Sequence, residues 1–282
     1  MSADREYLKC VNEILKRGHL SANRTGTDTL SKFGMQMRFD LRDKRVPILT
    51  TKKVNVDTVI KELVWFLSGS TDVTQLQAMG VHIWDANVEA NGGEAGPIYG
   101  AQWRRYGTVR SDHCNVDCHC IETLQVDQIS QIISQLIEDP TSRRIILCAW
   151  NPLDIDKMCL PPCHCFAQFL VHDGKLTCLL TQRSGDFGLG VPFNITSYAI
   201  LTHLIAHVTN LEAYELVHTV NSAHVYVNHI PALLRQTKRE PIDCEPIISI
   251  GEIDKSLLHL SPDQIQIEGY ECHKRLRMMM AV

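Results

Sequence analysis

An α/β protein of the α+β kind, with helices packed around a sheet, is predicted by three features of the sequence. Apolar stripes at helical spacing recur, one through Val56, Val59, Ile60, Leu63, Val64 and Leu67 and another through Ile129, Ile132, Ile133, Leu136 and Ile137. The run Ile145-Ile146-Leu147-Cys148-Ala149-Trp150 has the near-continuous apolar character of a strand covered on both faces. His172-Asp173-Gly174-Lys175 has the chemistry of a type I′ two-residue hairpin loop. With 282 residues, 44% of them hydrophobic and 21% charged, the chain can bury a sizeable core. No repeat, low-complexity tract or linker interrupts it, so a single domain over 1–282 is expected.

In chain order, Glu6 to Arg17 has helical apolar spacing, and Arg24-Thr25-Gly26-Thr27-Asp28-Thr29 is a loop around one arginine. Asn55 is placed to cap the helix through Leu67, and Gly69 to end it. Glu62 falls off the apolar stripe with Trp65 and Phe66 at i+3 and i+4, an aromatic flank that would raise its pKa by desolvation. The glycine-rich stretch 92–107 leads into the aromatic segment around Tyr99 and Trp103, and residues 126–138 form a helix stopped by Asp139-Pro140. Arg143-Arg144 opens the apolar strand, as a pair suited to an anion or as plain surface charge. After the hairpin, Gly188 to Asn194 leads into a helix carrying Tyr198, Leu201, Leu204, Ile205 and Val208, where Asn194 is either a cap or an amide that reads a ligand edge. His224-Val225-Tyr226 puts two polar rings on one strand face.

A formal net charge of -4 gives no general basic field for nucleic acid or a membrane surface. Neither a signal peptide nor an apolar run of membrane-spanning length is evident, and eleven scattered cysteines suit free thiols in a reducing, cytoplasmic compartment. Any anionic ligand would need a local arginine cluster.

The chemistry centres on Cys163. Leu160-Pro161-Pro162-Cys163-His164 delivers a thiol at a stiffened strand entrance, because prolines fix φ and cannot donate to a ladder, leaving Cys163 at an open edge. If Asp173-Gly174 is the loop, cross-strand partners have numbers adding to 347, so Cys163 faces Ser184 and lies one residue from Arg183. A single bulge would bring Arg183 opposite. A guanidinium there favours the thiolate, the attacking form.

Together these segments resemble the thymidylate synthase family over nearly the whole chain. The resemblance rests on Asn23-Arg24-Thr25-Gly26-Thr27, Glu62 to Leu67, Ile83-Trp84-Asp85, Gly96 to Gly100, Ser142 to Ile146, Leu160 to His164, Gln182-Arg183-Ser184, Leu189 to Ile195, His224 to His229 and Met280-Ala281-Val282. It implies a large mixed sheet with surrounding helices, two such sheets packing back to back in a homodimer. It also implies reductive methylation of dUMP to dTMP, with 5,10-methylenetetrahydrofolate giving the carbon and hydride and leaving as dihydrofolate. Cys163 would add to pyrimidine carbon 6, Glu62 would organise proton transfers, and Tyr99 would serve removal of the carbon 5 proton. Arg24, Arg183 and Ser184 would hold the phosphate, with Arg143 and Arg144 reaching in from the other subunit. Asn194 would serve the base and Gln182 would be among the dUMP-binding residues, with His224 and Tyr226 at the deoxyribose, and Lys52, Trp84, Asp186, Gly190 and the Val282 carboxylate at the folate. Asparagine at 194 favours uracil over the cytosine of the related deoxycytidylate hydroxymethylases. A regulatory nucleotide- or RNA-binding protein on the same scaffold is the reading of a different class, and the complete set of chemical residues argues against it.

Two segments depart from the family. Asn221-Ser222 stands where a Gly-Asp pair is usual, and the Cys/His-rich stretch near 108–122, with Cys114, Cys118 and Cys120, looks inserted. Its spacing is not that of a structural zinc site, and no metal is expected.

Overall fold

The computed structural model describes residues 3–111 and 121–280. Its elements run α1 (Ala3–Arg17), β1 (His19–Ser21), β2 (Thr29–Asp40), α2 (Val56–Leu67), α3 (Val73–Ala78), α4 (Asp85–Ala90), α5 (Tyr99–Arg104), β3 (Tyr106–Ser111), β4 (Ile121–Val126) and α6 (Gln128–Glu138). Then follow β5 (Ile146–Cys148), β6 (His164–His172), β7 (Lys175–Asp186), α7 (Gly190–Thr209), β8 (Glu212–Tyr226), α8 (Ile230–Gln236), β9 (Ile247–Ile250) and β10 (Ile265–Glu268). Six strands form one mixed sheet in the order β1-β2-β8-β7-β6-β5, in which β7 and β8 are parallel and the other pairs antiparallel.

One face of this sheet is covered by α7, which is buried nearly all round because its sequence is apolar on every side. Trp65, Trp103, Tyr198, Phe66, Phe169 and Phe187 fill the space between sheet and helices. The helix α1 is tied in by Asp4, fully buried, whose carboxylate accepts from the backbone N–H and hydroxyl of Thr50 and of Thr51 at 2.5–3.0 Å. These bonds replace the water that a buried carboxylate would otherwise lose.

Several elements differ from the sequence expectation. Asn55 occupies the cap position of α2 but its side chain accepts no bond there; Gly69, at φ 77°, does end the helix. The apolar run after Arg144 is not covered on both faces: β5 is a three-residue edge strand, with Leu147 buried and Ile146 38% exposed. Asn194 is not a cap, since α7 begins four residues earlier at Gly190. The strand β8 passes unbroken through Asn221 and Ser222, and neither has a left-handed backbone. A glycine is therefore not needed at 221 for its φ.

Candidate active site

The hairpin of β6 and β7 positions the candidate nucleophile, Cys163. Asp173 and Gly174 have φ of 50° and 74°, as a type I′ loop requires, and His172 pairs with Lys175. The register holds to Phe166 opposite Thr181, then shifts by one so that His164 faces Gln182. Cys165 is the extra residue. The bulge sets Cys163 opposite Arg183, whose N–H donates to the Cys163 carbonyl at 2.8 Å. Cys163 thus lies at the start of an interior strand and not at a sheet edge, and its own N–H donates to the Tyr99 hydroxyl at 2.8 Å.

The two prolines contribute more than stiffness. Arg183 Nε donates to the Pro162 carbonyl at 2.8 Å and Nη2 to the Pro161 carbonyl at 2.7 Å, while the guanidinium lies 5.6 Å from the centroid of the Trp150 ring. Two carbonyls and an indole therefore hold the charge beside the thiol. Its effect on ionisation is smaller than the sequence suggests. Burial pushes the Cys163 thiol up, Arg183 and Arg24 pull it down, and burial wins.

Glu62, on α2, forms the other chemical pole. Its Oε1 accepts from Trp84 Nε1 at 2.7 Å, and desolvation raises the carboxyl to about 7 against the lowering effect of that bond. The direction agrees with the sequence reading, which did not foresee Trp84 as the partner; Trp65 gives its N–H to the Asp72 carbonyl. Trp84 then meets Tyr99 edge to face with ring centroids 6.2 Å apart, and Tyr99 stacks on His164 at 3.9 Å. An aromatic chain thus joins the carboxyl of Glu62 to the backbone of Cys163. Two glycines allow it: at Gly96, with φ 70°, a Cβ would lie 1.9 Å from the Lys157 carbonyl oxygen, and at Gly100 one would lie 2.3 Å from that of Ser70.

A third group reads as a recognition edge. Gln182 Nε2 donates to the Ser184 carbonyl and to Asn194 Oδ1, both at 3.0 Å, so Asn194 is held with its Nδ2 free to donate elsewhere. Across β8, His224 pairs with Asp186 and its ring meets Tyr226 edge to face at 5.3 Å. Asp186 Oδ1 accepts from the Gly188 N–H at 2.7 Å and lies 3.6 Å from Nδ1 of the buried His229.

With this geometry in view, the profile of the family described as Thymidylate synthase matches residues 5–282. The chain belongs to the thymidylate synthase family. It is 45% identical to the thymidylate synthase of Herpesvirus ateles, over 100% of this chain and 99% of that one. It is 44% identical to that of Homo sapiens, over 98% of this chain and 90% of the human protein. A bifunctional dihydrofolate reductase-thymidylate synthase of Zea mays is 45% identical over 98% of this chain, which spans only 54% of that longer protein.

Other residues that the family resemblance singled out are placed differently from one another. Arg24 is exposed in a turn closed by Asn23, whose Oδ1 accepts from the Thr25 N–H at 2.9 Å. Arg143 and Arg144 are exposed beyond the far end of β5, where the Arg143 carbonyl accepts from Gln168. Five residue steps lead from Gln168 back to Cys163, about 16 Å of strand, so these arginines do not join Arg183 within one chain. Lys52 is 5% exposed, its Nζ donating to the Gly188 carbonyl, and burial lowers its pKa to about 8. In this structure Lys52 thus ties the segment of Gly188, two residues beyond Asp186, to the chain at 52. A Cβ on Gly190 would meet only Asn194 Oδ1, at 3.9 Å. Val282, Cys114, Cys118 and Cys120 lie outside the described residues.

The sequence reading missed three contacts. His164 Nδ1 lies 3.0 Å from the Tyr198 hydroxyl, His218 Nε2 lies 2.8 Å from Gln182 Oε1, and His229 Nε2 donates to the Met279 carbonyl at 2.7 Å. Each joins residues far apart in sequence, and no local pattern marks them.

Proposed function

We propose that the protein is a thymidylate synthase acting on dUMP, with Cys163 as nucleophile and Glu62 as proton carrier. The observation that carries this reading is the chain from Glu62 through Trp84 and Tyr99 to Cys163 and Arg183, which links a carboxyl raised to about 7 to a guanidinium-flanked thiol. The thiolate adds to carbon 6 of the pyrimidine, forming a carbon–sulfur bond while the ring's electron pair moves toward O4, which makes carbon 5 nucleophilic. Arg24, Arg183 and Ser184 hold the phosphate, His224 and Tyr226 the sugar, and Asn194 the base edge. Bidentate guanidinium contacts suit a phosphate dianion.

The residues fit a reduced folate. Asp186 offers an acceptor beside Gly188, and Trp84, itself fixed by Glu62, offers an apolar wall. When bound, 5,10-methylenetetrahydrofolate supplies the one-carbon unit and the hydride. The chain acts as one domain and, we infer, as a homodimer. Phe33 is 76% exposed, and Arg143 and Arg144 stand away from their own thiol, which supports a partner's receiving them. Among the described residues no helix is long and apolar enough to cross a membrane and eight cysteines are free, which supports a reducing cytoplasmic setting.

Purified protein mixed with dUMP and 5,10-methylenetetrahydrofolate is expected to give dTMP and dihydrofolate in equal amounts. Absence of dTMP would reject the assignment, and a hydroxymethylated product from dCMP would replace it. The dimer is tested by mixing a Cys163→Ser chain with an Arg143→Ala/Arg144→Ala chain. Two inactive proteins should recover activity together, because a mixed dimer has one intact site, and no recovery would reject shared sites.

A further inference from the structure

We propose that His218 is a positioning residue that sets the pyrimidine selectivity of the site, acting through Gln182 on Asn194; the identity of the base rests on the dUMP reading above. His218 is fully buried on β8, and its Nε2 lies 2.8 Å from Gln182 Oε1. Gln182, 2% exposed on β7, turns its Nε2 to the Ser184 carbonyl and to Asn194 Oδ1.

The direction of every bond in this chain follows from the ring. Burial lowers the His218 pKa to about 3, so the imidazole is neutral and carries one proton. Its Nδ1 is buried and has no hydrogen-bond partner among the described residues. A bare lone pair there costs less than an orphaned N–H, so the proton sits on Nε2. Nε2–H then donates to Gln182 Oε1, which leaves the Gln182 amide nitrogen as the donor to Asn194 Oδ1. Asn194 in turn must present Nδ2, a donor, to whatever its amide meets. Uracil offers an acceptor at O4, whereas cytosine offers an amino group in the same place, and two donors facing each other in a dry site exclude one another.

Without the Nε2 proton, Gln182 keeps only its bond to the Ser184 carbonyl as a reason not to turn. A turned Gln182 would present oxygen to Asn194, which would flip and present oxygen to the ligand. His218 thus touches no substrate, yet it decides which polarity the recognition edge shows.

The test is calorimetric binding of dUMP and of dCMP to the full-length protein, which needs no turnover and so separates this proposal from the assignment of the reaction. His218→Phe keeps a ring but removes the donor, and His218→Gln keeps a donor near Nε2. The ratio of dCMP to dUMP dissociation constants is expected to fall about tenfold in His218→Phe and to stay within about threefold of the parent in His218→Gln. A purely structural role would weaken both nucleotides together and leave the ratio unmoved, and that result in folded His218→Phe would overturn the proposal. Should His218→Phe not fold, Gln182→Glu removes the donor to Asn194 while keeping an acceptor for His218. The same fall in ratio is expected there, and an unchanged ratio would overturn the proposal equally.

Discussion

The Cys163 thiol and the Glu62 carboxyl are both pushed toward their protonated forms by burial, but what opposes burial differs. The thiol is pulled down by two full charges, Arg183 and Arg24, and the carboxyl by a neutral indole N–H. On the phosphate role proposed for these two arginines, their pull would change when the phosphate arrives, whereas that of an indole would not. Ionisation of the nucleophile is therefore tied to occupancy of the site. That of the carboxyl is fixed by the fold.

Removing the thiol breaks the comparison most severely. Cys163→Ser is expected to lower turnover by at least about a thousandfold, since a hydroxyl without a strong base is a far weaker nucleophile, while dUMP affinity stays within about threefold. Turnover within tenfold of the parent would show that the chemistry begins elsewhere.

Glu62→Gln tests the other pole. Its kcat is expected to fall by about a hundredfold or more, the range for loss of a proton-transfer group. Stability should move the opposite way. The folded carboxyl titrates near 7 and an unfolded one at about 4.3. Stability associated with Glu62 is thus fully present below the unfolded value and is lost as pH rises through the folded one. Relative to the parent, the Glu62→Gln melting temperature should be higher at pH 8 than at pH 4, and a pH-independent difference would contradict the raised pKa.

The smallest effect sharpens the contrast. Trp84→Phe removes the one bond that lowers the carboxyl, so the limb of the kcat/KM profile set by Glu62 should move to higher pH, by less than about one unit. A limb that stays in place would separate Trp84 from the ionisation of Glu62.

Legibility in the sequence follows the same division. The Cys163 end is short-range: Asp173-Gly174 fixes the loop, counting along the strands brings Ser184 or Arg183 opposite the thiol, and only the bulge at Cys165 needed the structure to decide. The helices of Glu62 and Asn194 were visible by period, but their partners were not. Trp84 reaches Glu62 from 22 residues away, and His218 reaches Gln182 across 36, and such bonds carry no local signature. The burial of Lys52 against Gly188 was not legible either, because a lone lysine in sequence does not show what will cover it. Ile146 looked doubly covered because an apolar run is written alike for a central strand and for an edge strand.

The bulge at Cys165 makes a count of residues into a matter of chemistry. Were Cys165 drawn into the ladder opposite Gln182, the strands would run in step from Phe166 and the thiol would look across at the Ser184 hydroxyl where the permanent positive charge of Arg183 now stands. The identity of the side chain at 165 matters less to this than its standing outside the ladder. Insertions and deletions between Phe166 and the hairpin loop, which shift this count, should therefore be tolerated far less well than substitutions over the same stretch.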